Sequence, residues 1–407
     1  MESIKELYKI GPGPSSSHTI GPQKIMEYIK EKYSDIDRCE VVLYGSLSLT
    51  GRGHLTDYII EKTMGKIETK IIFSKEELKY HPNGMEVFIY NNNVLLAKER
   101  AFSIGGGSFF IEGEQQKTIN SVYKHQQLTD IYQYLNEHEI DLYEYIIESE
   151  DLDFYQYLKE IWQAMKDSIE NGLNDQGLIP GKLKLSKVAK DLYNLAVKEE
   201  NIIEQQRLFI TSYAYAVSEQ NASGQLVVTA PTCGASGVIP AILYYSFKHL
   251  GYLEKEIIKA LAVGGLIGNL IKTNATISGA KGGCQAEIGS ACSMGSAAYA
   301  YLMGLSLSQI EYAAEMGLEH FAGLTCDPIG GYVQIPCIER NGFGALRVLS
   351  VVSFAKNLGS LRKHLVSFDS MVRVMKNIGE DMKVDYRETS IGGLASEYPL
   401  IYKEERK

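Results

Sequence analysis

Residues 226–247 read LVVTAPTCGASGVIPAILYYSF, and the fold depends on what this stretch is. It is the most apolar long run of the chain. As a membrane span it has the wrong interruptions: Pro231, Gly234, Gly237 and Pro240 fall inside it, and its flanks lack anchoring residues. A buried loop leading into a helix accounts for both the breaks and the small residues. The next apolar run, 261–271, is too short to span and contains Asn269. The middle of the chain is therefore expected as the interior of a helical region without membrane contact.

Working outward, helical periodicity appears at 157–171, 185–221, 240–250, 255–271, 291–304, 307–321 and 342–358, with breaks at 177–181, 278–283 and 327–331. Toward the N-terminus the pattern changes. Stretches 41–44, 67–73, 85–90 and 94–96 are rich in β-branched and aromatic residues and read as strands. Asn91-Asn92-Asn93 is a turn signal between the last two, and 23–33 and 55–64 read as helices. Residues 113–160 are polar, acidic and Tyr-rich, a connector expected to turn helical from 126, with His125 and His138 at the surface. The expected class is α+β: an N-terminal mixed α/β domain with its connector, residues 1–150, joined to a C-terminal all-helical catalytic domain, residues 151–407. No internal repeat is visible.

The 407 residues are 45% hydrophobic and 22% charged, a globular profile with room for two domains. A net charge of −9 disfavours nucleic acid and anionic membranes, and the one charged cluster near the end, 403–407, is mixed in sign. Residues 1–10 carry Glu and Lys through their apolar positions, unlike a signal peptide, so a cytoplasmic protein is expected. In that setting the six cysteines are not read as disulfides, and five of them fall between 233 and 337.

Four N-terminal stretches stand out. In 11–22, GPGPSSSHTIGP, the side chains of Ser15, Ser16, Ser17, His18 and Thr19 precede a helix start; they suit either a carboxylate site or a Ser-rich helix cap. In 44–57, His54 follows a Gly-rich turn and Asp57 comes three residues later. On a helix the pair would share a face, and a carboxylate beside an imidazole builds a general base; the alternative is a capping His with an ordinary ionic partner. His81-Pro82-Asn83-Gly84 is a turn whose His faces a cleft or solvent. Gly105-Gly106-Gly107 permits close backbone approach but lacks the Lys of a phosphate loop.

Cys284, Cys326 and Cys337 each sit in a loop bounded by Gly or Pro. The spacing contains no Cys-x-x-Cys, so it does not distinguish three ligands from three buried thiols. Cys292 reads as helix packing and Cys39 as core. Cys233 lies in a Gly-rich loop and stays open.

Taken together, these stretches resemble the iron–sulfur-dependent L-serine dehydratases, also called L-serine ammonia-lyases. The resemblance covers nearly the whole chain: GPSSSHTIGP, YGSLSLTGRGH with the following Thr-Asp, HPNGM and SIGGG are similar to the family's β portion. LIPGKLK, TAPTCGASGVIPA, NATISGAKGGCQAEIG, LTCDPIGGYVQIPCIERN and DMKVDYRETSIGGLA are similar to its α portion. Both portions lie on one chain, as in the single-chain type. The resemblance implies a [4Fe-4S] cluster on Cys284, Cys326 and Cys337, no pyridoxal phosphate, L-serine as substrate and a homodimer. Three thiolates leave one iron open for Lewis-acid catalysis, whereas an electron-transfer cluster normally has four. His54 is then expected as the base with Asp57 behind it. His81 is a second catalytic candidate and Asn83 a substrate-binding one, and Ser15–Thr19 are expected to grip the carboxylate or amine. Single-chain relatives can end in a Cys near the active site, whereas this chain ends Glu404-Glu405-Arg406-Lys407. Three alternatives are weighed. A pyridoxal-phosphate lyase would use Lys272 or Lys281; an iron–sulfur sensor would use the same three Cys; and a lyase of this type could take threonine or cysteine.

Overall fold

A computed structural model describes residues 1–114 and 121–398. The charged 403–407 segment lies outside the described residues. The architecture is α+β, a mixed sheet near the N-terminus followed by a helical region.

A short strand, β1 (Ile10–Pro12), leaves the sheet region and pairs antiparallel with β7 (Leu226–Val228), the start of the apolar stretch quoted above. The sheet proper comprises β2 (Arg38–Leu43), β3 (Glu68–Phe73), β4 (Gly84–Asn91), β5 (Val94–Gly105) and β6 (Ser108–Ile111), in the order β3-β2-β4-β5-β6. Only β2 and β3 run parallel, and a parallel pair needs a crossover. That crossover holds helices Gly45–Thr50 and Thr56–Met64 and, between them, His54. Cys39, Val41 and Leu43 alternate inward on β2 and meet Ile25, Met26 and Ile29 of helix Gly21–Lys32 in a small core of their own.

Asn92 and Asn93 both adopt positive φ, as a two-residue hairpin requires, and join β4 to β5. Strand β5 runs well past the expected 94–96. Its far end turns at Gly106 and Gly107, again at positive φ, so the triple glycine closes a hairpin onto β6.

The quoted stretch resolves into loop and then helix Val238–His249, buried along most of its length. It packs among Glu254–Asn274 and Ile288–Leu302, two helices whose small residues allow close approach. A Cβ on Gly268 would come within 2.7 Å of the Leu7 and Met294 side-chain ends, which would have to shift to admit it. Among the described residues no helix is long and apolar enough to cross a membrane.

Two expectations are corrected. The single helix expected over 185–221 is two, Ala189–Lys198 and Ile202–Ala222, because the Asn201 side chain accepts the N–H groups of Ile203 and Glu204 and starts a new helix. An unanticipated helix, Phe368–Asp381, is capped by Ser367 and buries Phe368, Met371, Val372 and Met375. The acidic stretch expected as a connector forms helices Leu128–His138 and Leu142–Ser149, whose apolar faces join the large helical core.

Candidate active site

The site lies where the sheet region meets the helical region, and it begins with two histidines. His18 sits in a five-residue wide turn, Ser16–Ile20, that leads directly into the first long helix; Ser15 caps the turn by accepting the His18 N–H. His54 sits in the β2–β3 crossover. The rings stack with centroids 4.4 Å apart, and both are buried. Two threonines fix this pairing: Thr19 Oγ1 donates to His54 O at 2.8 Å, and Thr56 Oγ1 donates to His18 O at 2.7 Å.

Hydrogen bonding sets the tautomers. His54 Nδ1 lies 3.0 Å from the Thr50 carbonyl, which only accepts, so Nδ1 carries the proton and Nε2 is bare. Ser46 spends its hydroxyl proton on Glu388 O at 2.7 Å, so at 3.0 Å it accepts from His18 Nε2–H, and His18 Nδ1 is bare. The two bare nitrogens face one carboxyl oxygen, Glu388 Oε1, at 3.5 Å from His18 and 3.6 Å from His54. Burial keeps both imidazoles neutral: His54 falls to about 4 and His18 well below its usual range. Burial, followed by the neighbouring Glu287, pushes the Glu388 carboxyl well up.

The carboxylate beside His54 is thus Glu388, from the far end of the chain. Between His54 and Asp57, Leu55 takes a positive φ, so the helix starts only at Thr56 and His54 lies outside it; Asp57 accepts the Tyr58 N–H. Ser17 Oγ lies 2.9 Å from His18 Nδ1 and Ser15 Oγ at 3.4 Å. Ser16 is buried beside them. Thr19 is committed to His54 O and to the Ser15 N–H, so its hydroxyl holds the fold.

His81 Nδ1 accepts the Asn83 N–H, so its proton is on Nε2. It offers a donor and no base. Burial, then Lys281, lowers it to about 3. Its Nε2 has no partner. Both side-chain atoms of Asn83, Ser103 Oγ, Ser278 Oγ and Glu388 Oε2 are buried without partners too. Ser278 packs at the β5 end near Gly105, and Ser103 packs against the helix start at Gly21. Each buried orphan costs roughly 1–3 kcal/mol, which a small polar ligand or water would relieve. A cavity of about 340 Å³, lined by Ser46, Tyr80, His81, Lys281 and Arg387 among others, leads to this region. Lys272 is elsewhere, bonded to Glu2 at 2.7 Å.

The three loop cysteines come together on the other side of Glu388. Cys284 follows Gly283, whose positive φ and 2.7 Å approach to Leu324 O require glycine. Cys326 is locked to the C-terminal segment by two backbone bonds of 2.8 Å, from its N–H to Tyr386 O and from the Glu388 N–H to its O. Cys337 opens helix Cys337–Leu358. One turn on, Arg340 bonds Cys284, faces all three thiols, and donates to Thr325 O at 2.7 Å. Glu287 takes the Thr232 hydroxyl at 2.7 Å and lies 3.9 Å from Cys326 Sγ.

Burial pushes Cys284 up to about 11, and pushes Cys326 and Cys337 well up; for these two the next causes are Glu287 and Cys284 respectively. Three thiols, from the buried Cys284 and Cys326 and the half-buried Cys337, form with two acids and one arginine a donor set that a polycation would deprotonate and neutralise. The residues fit an iron–sulfur cluster by that chemistry. Two other cysteines stand apart, Cys39 donating to Thr69 in the sheet and Cys292 inside a core helix, whereas Cys233 is buried beside the same Glu287 that borders the three thiols.

Glu388, Glu287 and Arg340 were not singled out by sequence reasoning. Glu287 and Arg340 stand three residues beyond Cys284 and Cys337, which is the signal available; Glu388 lies in a polar stretch with no pattern of its own.

Bare imidazole nitrogens, unpartnered polar groups and a donor-rich thiol cluster, close to a cavity bordered by Ser46 and His81, are the features of an enzyme for a small polar molecule. Family models agree, with "Serine dehydratase beta chain" matching residues 3–65 and "Serine dehydratase alpha chain" matching residues 89–395, and the chain belongs to the serine dehydratase family. It is 36% identical to the L-serine dehydratase of Haemophilus influenzae, over 97% of this chain and 99% of that protein. It is 35% identical to L-serine dehydratase 1 of Escherichia coli with the same coverage. The L-serine dehydratase of Streptomyces coelicolor is 36% identical over 97% of this chain and 98% of its own.

Proposed function

We propose that this chain is an L-serine ammonia-lyase, converting L-serine to pyruvate and ammonia, with a [4Fe-4S] cluster held by Cys284, Cys326 and Cys337. The observation that carries the reading is the bare Nε2 of His54, neutral and buried, at the same junction as three mutually close thiols. When bound, a cluster with only three thiolates supplies an open Lewis-acidic iron that eases departure of the serine hydroxyl.

The chain's own groups do the rest. His54 Nε2 takes the α-proton, while Thr50 O, through Nδ1–H, stabilises the imidazolium that forms. Loss of the α-proton and of the hydroxyl, which leaves as water, gives aminoacrylate. That product tautomerises to an imine and hydrolyses. His81 Nε2–H and the free amide of Asn83 supply donors and an acceptor for the carboxylate and ammonium, and Ser15 to Ser17 border the same space. The family resemblance adds a homodimer, which sedimentation would read.

Anaerobically purified protein should be brown, contain about four iron and four sulfide per chain by this cluster assignment, and release ammonia from serine. His54→Ala should keep the iron and lose roughly 10²–10⁴ in kcat. Near-normal turnover by that variant would remove His54 from the role.

A further inference from the structure

The pairing of His18, His54 and Glu388 has a geometry that proton transfer alone does not need. His18 Nδ1 and His54 Nε2 are both acceptors, because their other nitrogens give their protons to Ser46 Oγ and Thr50 O. Glu388 Oε1 makes a third acceptor, and the three ligand atoms lie within 4.8 Å of one another. One shared proton satisfies only one pair. Glu388 Oε2 is buried and has no partner within hydrogen-bond geometry. The Nδ1–Oε1 and Nε2–Oε1 separations are 3.5 and 3.6 Å. Bonds of about 2.0–2.2 Å in a tetrahedron put ligand atoms roughly 3.3–3.5 Å apart.

We infer that His18, His54 and Glu388 form a tripod for a single borderline-soft divalent cation, zinc or cobalt, separate from the cysteine site. Two neutral imidazoles and one carboxylate are a zinc-type donor set, each imidazole already backed by a hydrogen bond on its far nitrogen. Ser17, which now donates to His18 Nδ1, gives up that bond and stands next to the fourth position, where water or substrate completes the shell. The cation enters from the cavity bordered by Ser46 and His81. Once there it occupies His54 Nε2, so the site is inhibitory; this last step rests on His54 being the base of the proposed function.

The test dialyses anaerobic holoenzyme against buffered Zn²⁺ and counts zinc and iron per chain by mass spectrometry. One zinc is expected at micromolar or lower free metal, with iron unchanged. Serine turnover should fall in step with zinc occupancy and recover on chelation. His18→Gln and Glu388→Gln should each weaken zinc binding by more than the roughly 10–100-fold typical of losing a supporting hydrogen bond. The Gln at 388 keeps the volume, and circular dichroism with iron content checks that each variant folds. The proposal fails if wild type takes up no stoichiometric zinc, or if both folded variants bind it as tightly. Zinc uptake matched by iron loss would also refute it, because the cysteines would then be the ligands. The zinc count does not depend on serine turnover. No serine turnover by the zinc-free holoenzyme, with one zinc still taken up on dialysis, would sink the proposed function alone, and turnover without zinc binding would sink this inference alone.

Discussion

Ser46→Ala removes a single oxygen atom, yet it should disturb both histidines' surroundings. The Ser46 hydroxyl accepts from His18 Nε2–H and donates to Glu388 O, and it is buried. Deleting it leaves one donor and one acceptor without partners. At roughly 1–3 kcal/mol for each buried orphan, the loss is about 2–6 kcal/mol if the site stays dry, and a water entering from the adjoining cavity lowers it. His18 also loses the contact that fixes its tautomer and becomes free to carry its proton on Nδ1, facing Glu388. If about 1.4 kcal/mol of the loss is felt during turnover, kcat/KM falls about tenfold. Urea unfolding followed by far-UV circular dichroism reads the stability, and ¹⁵N shifts of His18 read the tautomer. Ser46→Thr, which keeps the hydroxyl, should recover most of both. A stability change under about 0.5 kcal/mol, with the His18 proton still on Nε2, would refute the bridge.

Cys337→Ala should abolish stable iron content, whereas Cys292→Ala should leave iron per chain unchanged, as metal analysis would show. His81→Phe should raise KM for serine about tenfold by removing a donor, and should cost roughly 1–3 kcal/mol of stability because the buried Asn83 N–H loses its acceptor; His81→Gln, which keeps a donor and an acceptor, should stay near wild type. The folded His54 sits at about 4 against an ordinary 6.5, so the unfolded chain binds more protons between these values, and stability falls as pH drops from 6.5 through about 4. His54→Gln removes that term. The stability advantage of wild type over this variant should shrink by about 3 kcal/mol across the window, measured by urea titrations at each pH. Asn201→Ala should cost about 1 kcal/mol by removing the cap that starts helix Ile202–Ala222.

Much of the fold is written in local pattern. Asn91-Asn92-Asn93 specified its hairpin because both central residues had to adopt positive φ. The 226–247 stretch carried its own breaks, and the helices followed their apolar period. The break at 199–201 was missed because apolar spacing continues across it while a single Asn side chain decides it. Helix Phe368–Asp381 was missed because its exposed face is polar, although its buried stripe is regular. At the site, the turns and loops that carry His54, His18 and the three cysteines stand out in the sequence, but the choice of those three among six cysteines rests on the family resemblance. The partner of His54 was not: a carboxylate three residues away is a local expectation, but the carboxylate that arrives comes from 334 positions downstream, brought by tertiary pairing with Cys326. Likewise, Thr19 reads as a substrate hydroxyl in a Ser-rich run, and only the fold shows its proton committed to His54 O.

That pairing ties two fates together. The same two backbone bonds seat Cys326 and Glu388, so the 386–388 strap cannot peel away and leave the thiol in register with its companions. A protease nick or an oxidised sulfur at this point would therefore register twice, once as a displaced thiol and once as a lost acid beside the histidines. Intermediates with the thiols in register but no acid, or the reverse, are denied to the chain by its own hydrogen-bond ladder.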